Sequence, residues 1–219
     1  MTELMCLHAA ASSPETWDPL VPGLADLGCR VHCPPLLGHR GAERRREYPL
    51  TAFRDDVLRE LDQRGLERVT LVGHSLGAFV ASMVAAARPE RVIRLVLEEM
   101  PVPPKDSGDG AASRGRAGGL AMRAFALLNR ERCDPALFRS VIAELREPQA
   151  RWWDDLSAVT ADTLILAGGE KSHLDQSRYD LLARAVPGSA TVTIPAGHRI
   201  HRRAPERWLA AVSGFLGSP

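Results

Sequence analysis

Short apolar runs alternate along this chain with longer stretches whose apolar positions recur at helical intervals. That alternation predicts a parallel sheet covered by helices. Leu4-Met5-Cys6-Leu7 reads as a first strand, Arg30-Val31-His32-Cys33 as a second and Val69-Thr70-Leu71-Val72 as a third. Val92 to Leu97 is a fourth, apolar except for Arg94, as expected of a strand buried on both faces. Thr163 to Ala167 and Thr191 to Ile194 complete the set. Between them, helical spacing runs from Trp17 to Leu27 before Gly28, from Thr51 to Gly65, from Leu76 towards Pro89, and over Tyr179 to Ala185. A last helix spans Pro205 to Leu216.

The pattern breaks after the fourth strand. Pro101 to Gly119 holds three prolines and five glycines and reads as irregular chain, with Gly108, Gly110, Gly115, Gly118 and Gly119 as points of give at an entrance. Helical pieces follow at Leu120 to Leu128 and at Ala136 to Leu145, the second opened by Asp134-Pro135 as N-cap and first-turn pair. The expected architecture is α/β: one domain over residues 1–219, a three-layer α/β/α sandwich on a mostly parallel sheet of about six strands. A helical cap is inserted at 101–160.

Composition narrows the function classes. The chain has 219 residues with 45% hydrophobic content, enough for one core, and 25% charged residues with net charge +1 point to neither nucleic acid nor a membrane surface. Cys6, Cys29, Cys33 and Cys133 lack metal or redox spacing and read as small buried hydrophobes, so no metal and no organic cofactor is expected. No basic segment leads an apolar run at the start, and no run reaches ~18 apolar residues, so a cytoplasmic protein without a membrane span is expected.

The chemistry gathers at Gly73-His74-Ser75-Leu76-Gly77, between a strand and a helix. A serine on such a tight turn presents Oγ above the sheet edge, and two flanking glycines leave room where side chains would collide with backbone. Val69 to Leu97 resembles the nucleophile segment of the α/β-hydrolase superfamily. Leu37-Gly38-His39-Arg40-Gly41 is similar to that family's glycine-histidine-glycine loop, with Arg40 inserted, and Ile194-Pro195-Ala196-Gly197-His198 to the segment with its catalytic histidine. The resemblance implies Ser75 as nucleophile and His198 as base, with His201 a weaker alternative base. His74 flanks the nucleophile and is expected to shape the pocket, His8 to be structural, and His32, His39 and His173 to serve surface or loop packing.

Two positions depart from the family. Its acid usually follows the strand at 163–167, but Ser172 stands there and carries no charge. A known alternative places the acid after the preceding strand, which selects Glu99; Glu98 would point the opposite way, and Asp175 is a third candidate. The oxyanion hole is expected from the N–H groups of Leu76 and Ala10, although His8-Ala9-Ala10 lacks the family's glycine. Ala9 also lacks the hydroxyl that some cyanohydrin-cleaving relatives use. The family's leading strand hairpin is absent, which makes the strand near residue 4 an expected edge and a homodimer one way to cover it.

Trp152 and Trp153, with Met122, Phe125, Leu127 and Leu128, make the insertion apolar and suggest a pocket for an apolar small-molecule substrate. Arg44-Arg45-Arg46 and the group Arg199, Arg202, Arg203 read as solvated basic faces. The expected activity is cleavage of an ester, lactone or thioester through an acyl-enzyme on Ser75. The alternatives are a non-hydrolytic elimination or C–C cleavage on the same residues, and a ligand-binding protein that reacts slowly.

Overall fold

The computed structural model describes residues 1–109, 128 and 131–217. Six strands, β1 (Thr2–Leu7), β2 (Cys29–His32), β3 (Val69–His74), β4 (Val92–Glu98), β5 (Asp162–Ala167) and β6 (Ser189–Thr193), form one sheet in the order β2-β1-β3-β4-β5-β6. All five pairings are parallel, so the expected mostly parallel sheet is wholly so. Eight α-helices occur among the described residues: α1 (Val21–Asp26), α2 (Leu50–Gln63), α3 (Leu76–Ala87), α4 (Pro135–Arg146), α5 (Ala150–Asp155), α6 (Tyr179–Ala185), α7 (Ile200–Arg203) and α8 (Pro205–Leu216).

Successive strand residues enter opposite layers, because side chains alternate across a pleated sheet. Met5, Leu7, Leu71, Leu95, Leu97 and Ile165 pack in one cluster with Phe53 and Val57 of α2 and Phe79 and Val80 of α3. Leu4, Cys6, Val72, Val96, Leu164 and Leu166 pack in the other with Trp17, Leu24 of α1, and Trp208 and Val212 of α8. Both faces of the sheet are therefore covered, which gives the three layers.

Two expectations are corrected. The strand at residue 4 is not an edge: β1 pairs with β2 from Thr2↔Cys29 to Met5↔His32 and with β3 from Leu4↔Thr70 to Leu7↔Gly73. The chain steps outward from β1 to β2 and then crosses back to the other side of β1. Residue type marks the true edges, since Leu4 to Leu7 are fully buried while β2 carries Arg30 and His32, and β6 is largely exposed. A partner chain is therefore not needed to cover β1. The helix expected from Trp17 to Leu27 is split into a 3-10 turn (Pro14–Leu20) and α1, because Pro19 and Pro22 remove two backbone donors from any continuous helix.

The inserted segment joins the same packing. The Asp134 carboxylate accepts the Ala136 N–H at 2.8 Å and caps α4, as its sequence predicts. Leu137 and Val141 of α4 enter the α2/α3 cluster, and Glu144 accepts the Leu50 N–H at 2.9 Å, which ties α4 to the start of α2. Helices α5 and α7 are too short for the apolar spacing of the sequence to predict them. The helix expected at 120–128 lies, save its last residue, outside the described residues, as do Met122, Phe125, Leu127, Gly110, Gly115, Gly118 and Gly119.

Strand order sets the place for chemistry. The chain runs from β1 outward to β2 but from β3 the other way to β4, so the crossovers diverge between β1 and β3. Ligands of open α/β sheets bind in the crevice beyond the strand ends at such a point. Ser75 follows β3 there, and Glu99 follows β4.

Candidate active site

Ser75 stands between the end of β3 and the start of α3 with φ 54° and ψ −115°, outside the regions that L-residues ordinarily occupy. The turn is held from both sides: its N–H donates to the Glu98 carbonyl at 2.9 Å, and its carbonyl accepts the Phe79 N–H at 3.0 Å. A Cβ on Gly73 would overlap the backbone of Gly77 and Ala78, and one on Gly77 would overlap the Leu7 carbonyl of β1. Both glycines of the motif are thus required by close backbone approach. Among the described non-glycine residues, positive φ occurs at Ala11 (55°), Ser75 (54°) and Glu99 (48°), one after each of β1, β3 and β4. Strain of this kind costs about 1–3 kcal/mol per residue and persists where the surroundings enforce it, commonly at functional sites.

Glu99 and His198 meet. His198 Nδ1 lies 3.2 Å from Glu99 Oε2, with the Glu99 side chain fully buried and 20% of the His198 side chain exposed. The carboxylate is held further by the Gly168 N–H at 2.5 Å, by Gln176 Nε2 at 3.2 Å and by the Ser172 hydroxyl. Burial opposes its charge, but the hydrogen bonds from His198, Ser172 and Gly168 outweigh burial and keep the carboxyl below the ordinary glutamate range. Gly168 is needed for this closure, since a Cβ there would stand 2.9 Å from the Glu99 carboxyl carbon. Ser172, at the position where the resemblance places an acid, instead donates to the Glu99 carboxylate just after β4. Asp175 is turned elsewhere, accepting from the Ser177 N–H at 3.2 Å and hydroxyl at 2.6 Å.

A second carboxylate–histidine pair lies behind the first. Glu98 accepts from His201 Nδ1 at 2.8 Å, from the His201 N–H at 3.1 Å and from Trp208 Nε1 at 2.9 Å. His201 Nε2 is 2.9 Å from the Thr16 hydroxyl, and the ring is buried, which removes it from reach as a base. Burial opposes the Glu98 charge too, yet its pKa is lowered, chiefly by the facing His201 and His74. His74, Glu98 and His201 offer ligand atoms within 4.8 Å of one another. Glu98 and His201 already spend theirs on each other, on Trp208 and on Thr16, so only His74 Nδ1 would remain for a metal ion.

The remaining site residues fall as follows. Leu76 opens α3, so its N–H is among the first four that no carbonyl of the helix takes. Ala10 lies in the turn after β1, and the left-handed residue of that turn is Ala11, not the position where the family has glycine. His8 is buried, accepts the Leu36 N–H on Nε2 at 3.1 Å and, desolvated, has its pKa pushed down to about 3. His74, expected to shape the pocket, is buried beneath His198.

Trp152 and Trp153, expected in the pocket, pack inside. Trp152 stacks on Phe79 at 4.8 Å and donates to Ser82 Oγ at 3.0 Å, while Trp153 donates to the Pro103 carbonyl at 3.1 Å. Trp152 also lines a groove of about 410 Å³ with Thr51, Met83 and Ala87, which includes none of Ser75, Glu99 and His198. Sequence reasoning missed His173, whose ring is 4.2 Å from that of His198. Its place beside Ser172, at the usual acid turn, was the available signal.

Known proteins share this fold. A family model described as "Alpha/beta hydrolase family" matches residues 4–212. An uncharacterized protein of Mycobacterium tuberculosis is 35% identical over 95 residues, 43% of this chain but only 28% of its own length. Esterase YbfF of Escherichia coli is 26% identical over 196 residues, covering 77% of this chain and 74% of its own. The solved structure of a hydrolase from Pseudomonas aeruginosa superposes with a TM-score of 0.81 at 23% identity over 99% of this chain and 90% of its own. With the match running from β1 into α8, this chain belongs to the α/β hydrolase family.

Proposed function

We propose that this protein is a serine hydrolase that cleaves a carboxylic ester, lactone or thioester of a mainly apolar small molecule through an acyl-enzyme on Ser75. The observation that carries the reading is the Glu99–His198 hydrogen bond at 3.2 Å, at the same sheet edge where Ser75 is held at φ 54°. A serine hydroxyl needs a base to take its proton, and the base needs a carboxylate to fix its tautomer and to stabilise the imidazolium. Glu99 on Nδ1 leaves Nε2 as the proton-accepting atom of His198. The Ser75 Oγ then adds to the substrate carbonyl carbon as its proton passes to Nε2. The carbonyl oxygen becomes an oxyanion facing the Leu76 and Ala10 N–H groups.

Collapse of that intermediate breaks the bond to the leaving group, which departs as an alcohol or thiol with the proton from His198. Water, deprotonated by the same nitrogen, then adds to the acyl carbon and releases the carboxylic acid and free Ser75. The esterase among the relatives supports the ester class, and Met122, Phe125 and Leu127, apolar residues of the insertion's sequence other than the inward-packed tryptophans, favour an apolar acyl or ring-bearing group.

The test is labelling with a fluorophosphonate, with Ser75→Ala as control, followed by a series of p-nitrophenyl esters of rising acyl length. Stoichiometric labelling of the wild type and none of the variant is expected. Folded wild-type protein that takes no label would overturn the activated serine.

A further inference from the structure

Beneath Glu99 and His198 lies a polar assembly for which the proposed chemistry has no use: His74, Glu98, His201, Thr16 and Trp208. Each of its central members neighbours a residue of the candidate triad in sequence. His74 precedes Ser75, Glu98 precedes Glu99, and His201 lies three residues after His198. We infer that His74 is a positioning residue for the base, its Nε2–H holding the backbone carbonyl of His198 at 2.6 Å and thereby fixing where that imidazole is presented. The inference rests on the serine-hydrolase reading above.

The protonation of the contact follows from its partner. A carbonyl oxygen can only accept, so Nε2 of His74 carries the proton and donates. The ring is neutral, burial having pushed its pKa down to about 3, and Nδ1 therefore presents a bare lone pair. That atom is buried without a hydrogen-bond partner among the described residues. Leaving a buried acceptor unsatisfied is costly, and an apolar side chain of similar size would avoid that cost. What a histidine supplies here that an apolar residue would not is the one hydrogen bond to His198.

The rest of the assembly keeps His74 from yielding. Its ring sits between those of His198 and His201, with centroids 4.8 Å from each. On the far side, His201 is fixed by Glu98 through both its N–H and Nδ1, and by Thr16 on Nε2. Glu98 is fixed in turn by Trp208 of α8. The His198 backbone therefore rests on a wedge with a braced back, and none of these groups is exposed enough to meet substrate.

Removing the donor should lower turnover and leave substrate affinity alone, because a misplacement of about 1 Å in a reacting group can cost about a hundredfold. The experiment compares His74→Leu with His74→Gln, whose amide nitrogen reproduces the position of Nε2. The readouts are the fluorophosphonate labelling rate at Ser75, kcat and KM on a p-nitrophenyl ester, and the Tm of each protein. His74→Leu is expected to label and turn over at least about tenfold more slowly at unchanged KM, while His74→Gln recovers most of the rate whether or not it recovers Tm.

Wild-type labelling by folded His74→Leu overturns the inference. So does a His74→Gln as slow as His74→Leu, since the donor would then not matter. If the leucine variant does not fold, His74→Asn gives the same contrast. Its amide ends one bond short of the carbonyl and must be slower than the glutamine variant; equal rates overturn the inference. Unlabelled wild-type protein instead overturns the hydrolase reading, and this inference with it.

Discussion

Glu98 and Glu99 are consecutive, each binds a histidine through Nδ1, and they differ in the layer they enter and in the access their histidines have to the crevice. Glu98 turns into the layer of Trp17 and Trp208, where it accepts from His201 and the Trp208 indole and only 1% of the His201 side chain is exposed. Glu99 turns to the loops after β5 and β6, and its histidine keeps 20% of its side chain exposed at the crevice. The same pair of functional groups is thus a brace in one place and a candidate acid–base couple in the other. Access separates them, not charge: both carboxylates are buried and both have lowered pKa values.

The largest effect expected from breaking that comparison is on turnover. Glu99→Ala should lose a factor of about 10²–10⁴, as triad acids do when removed. Because Ser172 already hydrogen-bonds the Glu99 carboxylate, a carboxylate placed at 172 should reach the same histidine nitrogen. Glu99→Ala/Ser172→Asp should therefore regain about tenfold or more over Glu99→Ala in steady-state assays of p-nitrophenyl acetate. No regain would show that an acid from β5 cannot replace one from β4 in this chain.

A smaller effect concerns stability against pH, to which the buried groups on both sides contribute. Burial first, and for His8 and His74 the neighbouring histidines after it, holds His8, His39 and His74 at pKa values of about 3, 4 and 3. In an unfolded chain each titrates near 6.5, so unfolding takes up protons in mild acid. Stability is then complete above about pH 6.5 and declines below it by about 1.4 kcal/mol per pH unit for each histidine, until the folded values are approached. Glu98 and Glu99, whose folded pKa values are lowered, add a further loss once pH falls below the ordinary carboxylate range. Urea midpoints at pH 7.5, 6 and 5 should fall progressively; a flat series would contradict the neutral buried histidines.

Much of this was legible in the sequence because the physics is local. Strand and helix periods placed all six strands, and for Tyr179–Ala185 and Pro205–Leu216 the predicted limits are the observed ones. Gly73 and Gly77 marked the tight turn because a side chain at either would strike backbone. Strand order was less legible, since only the polar Arg30 and His32 of β2, against the apolar Leu4 to Leu7 of β1, mark which of the two lies outside. The braced back of the site was hidden for a related reason. His74, Glu98, His201, Thr16 and Trp208 are up to 192 residues apart, counting from 16 to 208, and only the parallel crossovers bring them together. The inward packing of Trp152 and Trp153 was equally hidden, because an apolar insertion has a domain to pack on as well as a substrate to line.

The division of labour between the two carboxylates is tested most directly by Glu98→Gln and Glu99→Gln, each measured for kcat and for urea midpoint at pH 7.5. Glu99→Gln is predicted to lose at least about a hundredfold in kcat with little change in midpoint. Glu98→Gln is predicted to lose about 1–3 kcal/mol of stability and no more than about tenfold in kcat. A Glu98→Gln that loses as much turnover as Glu99→Gln, or a Glu99→Gln that keeps wild-type turnover, would contradict the assignment.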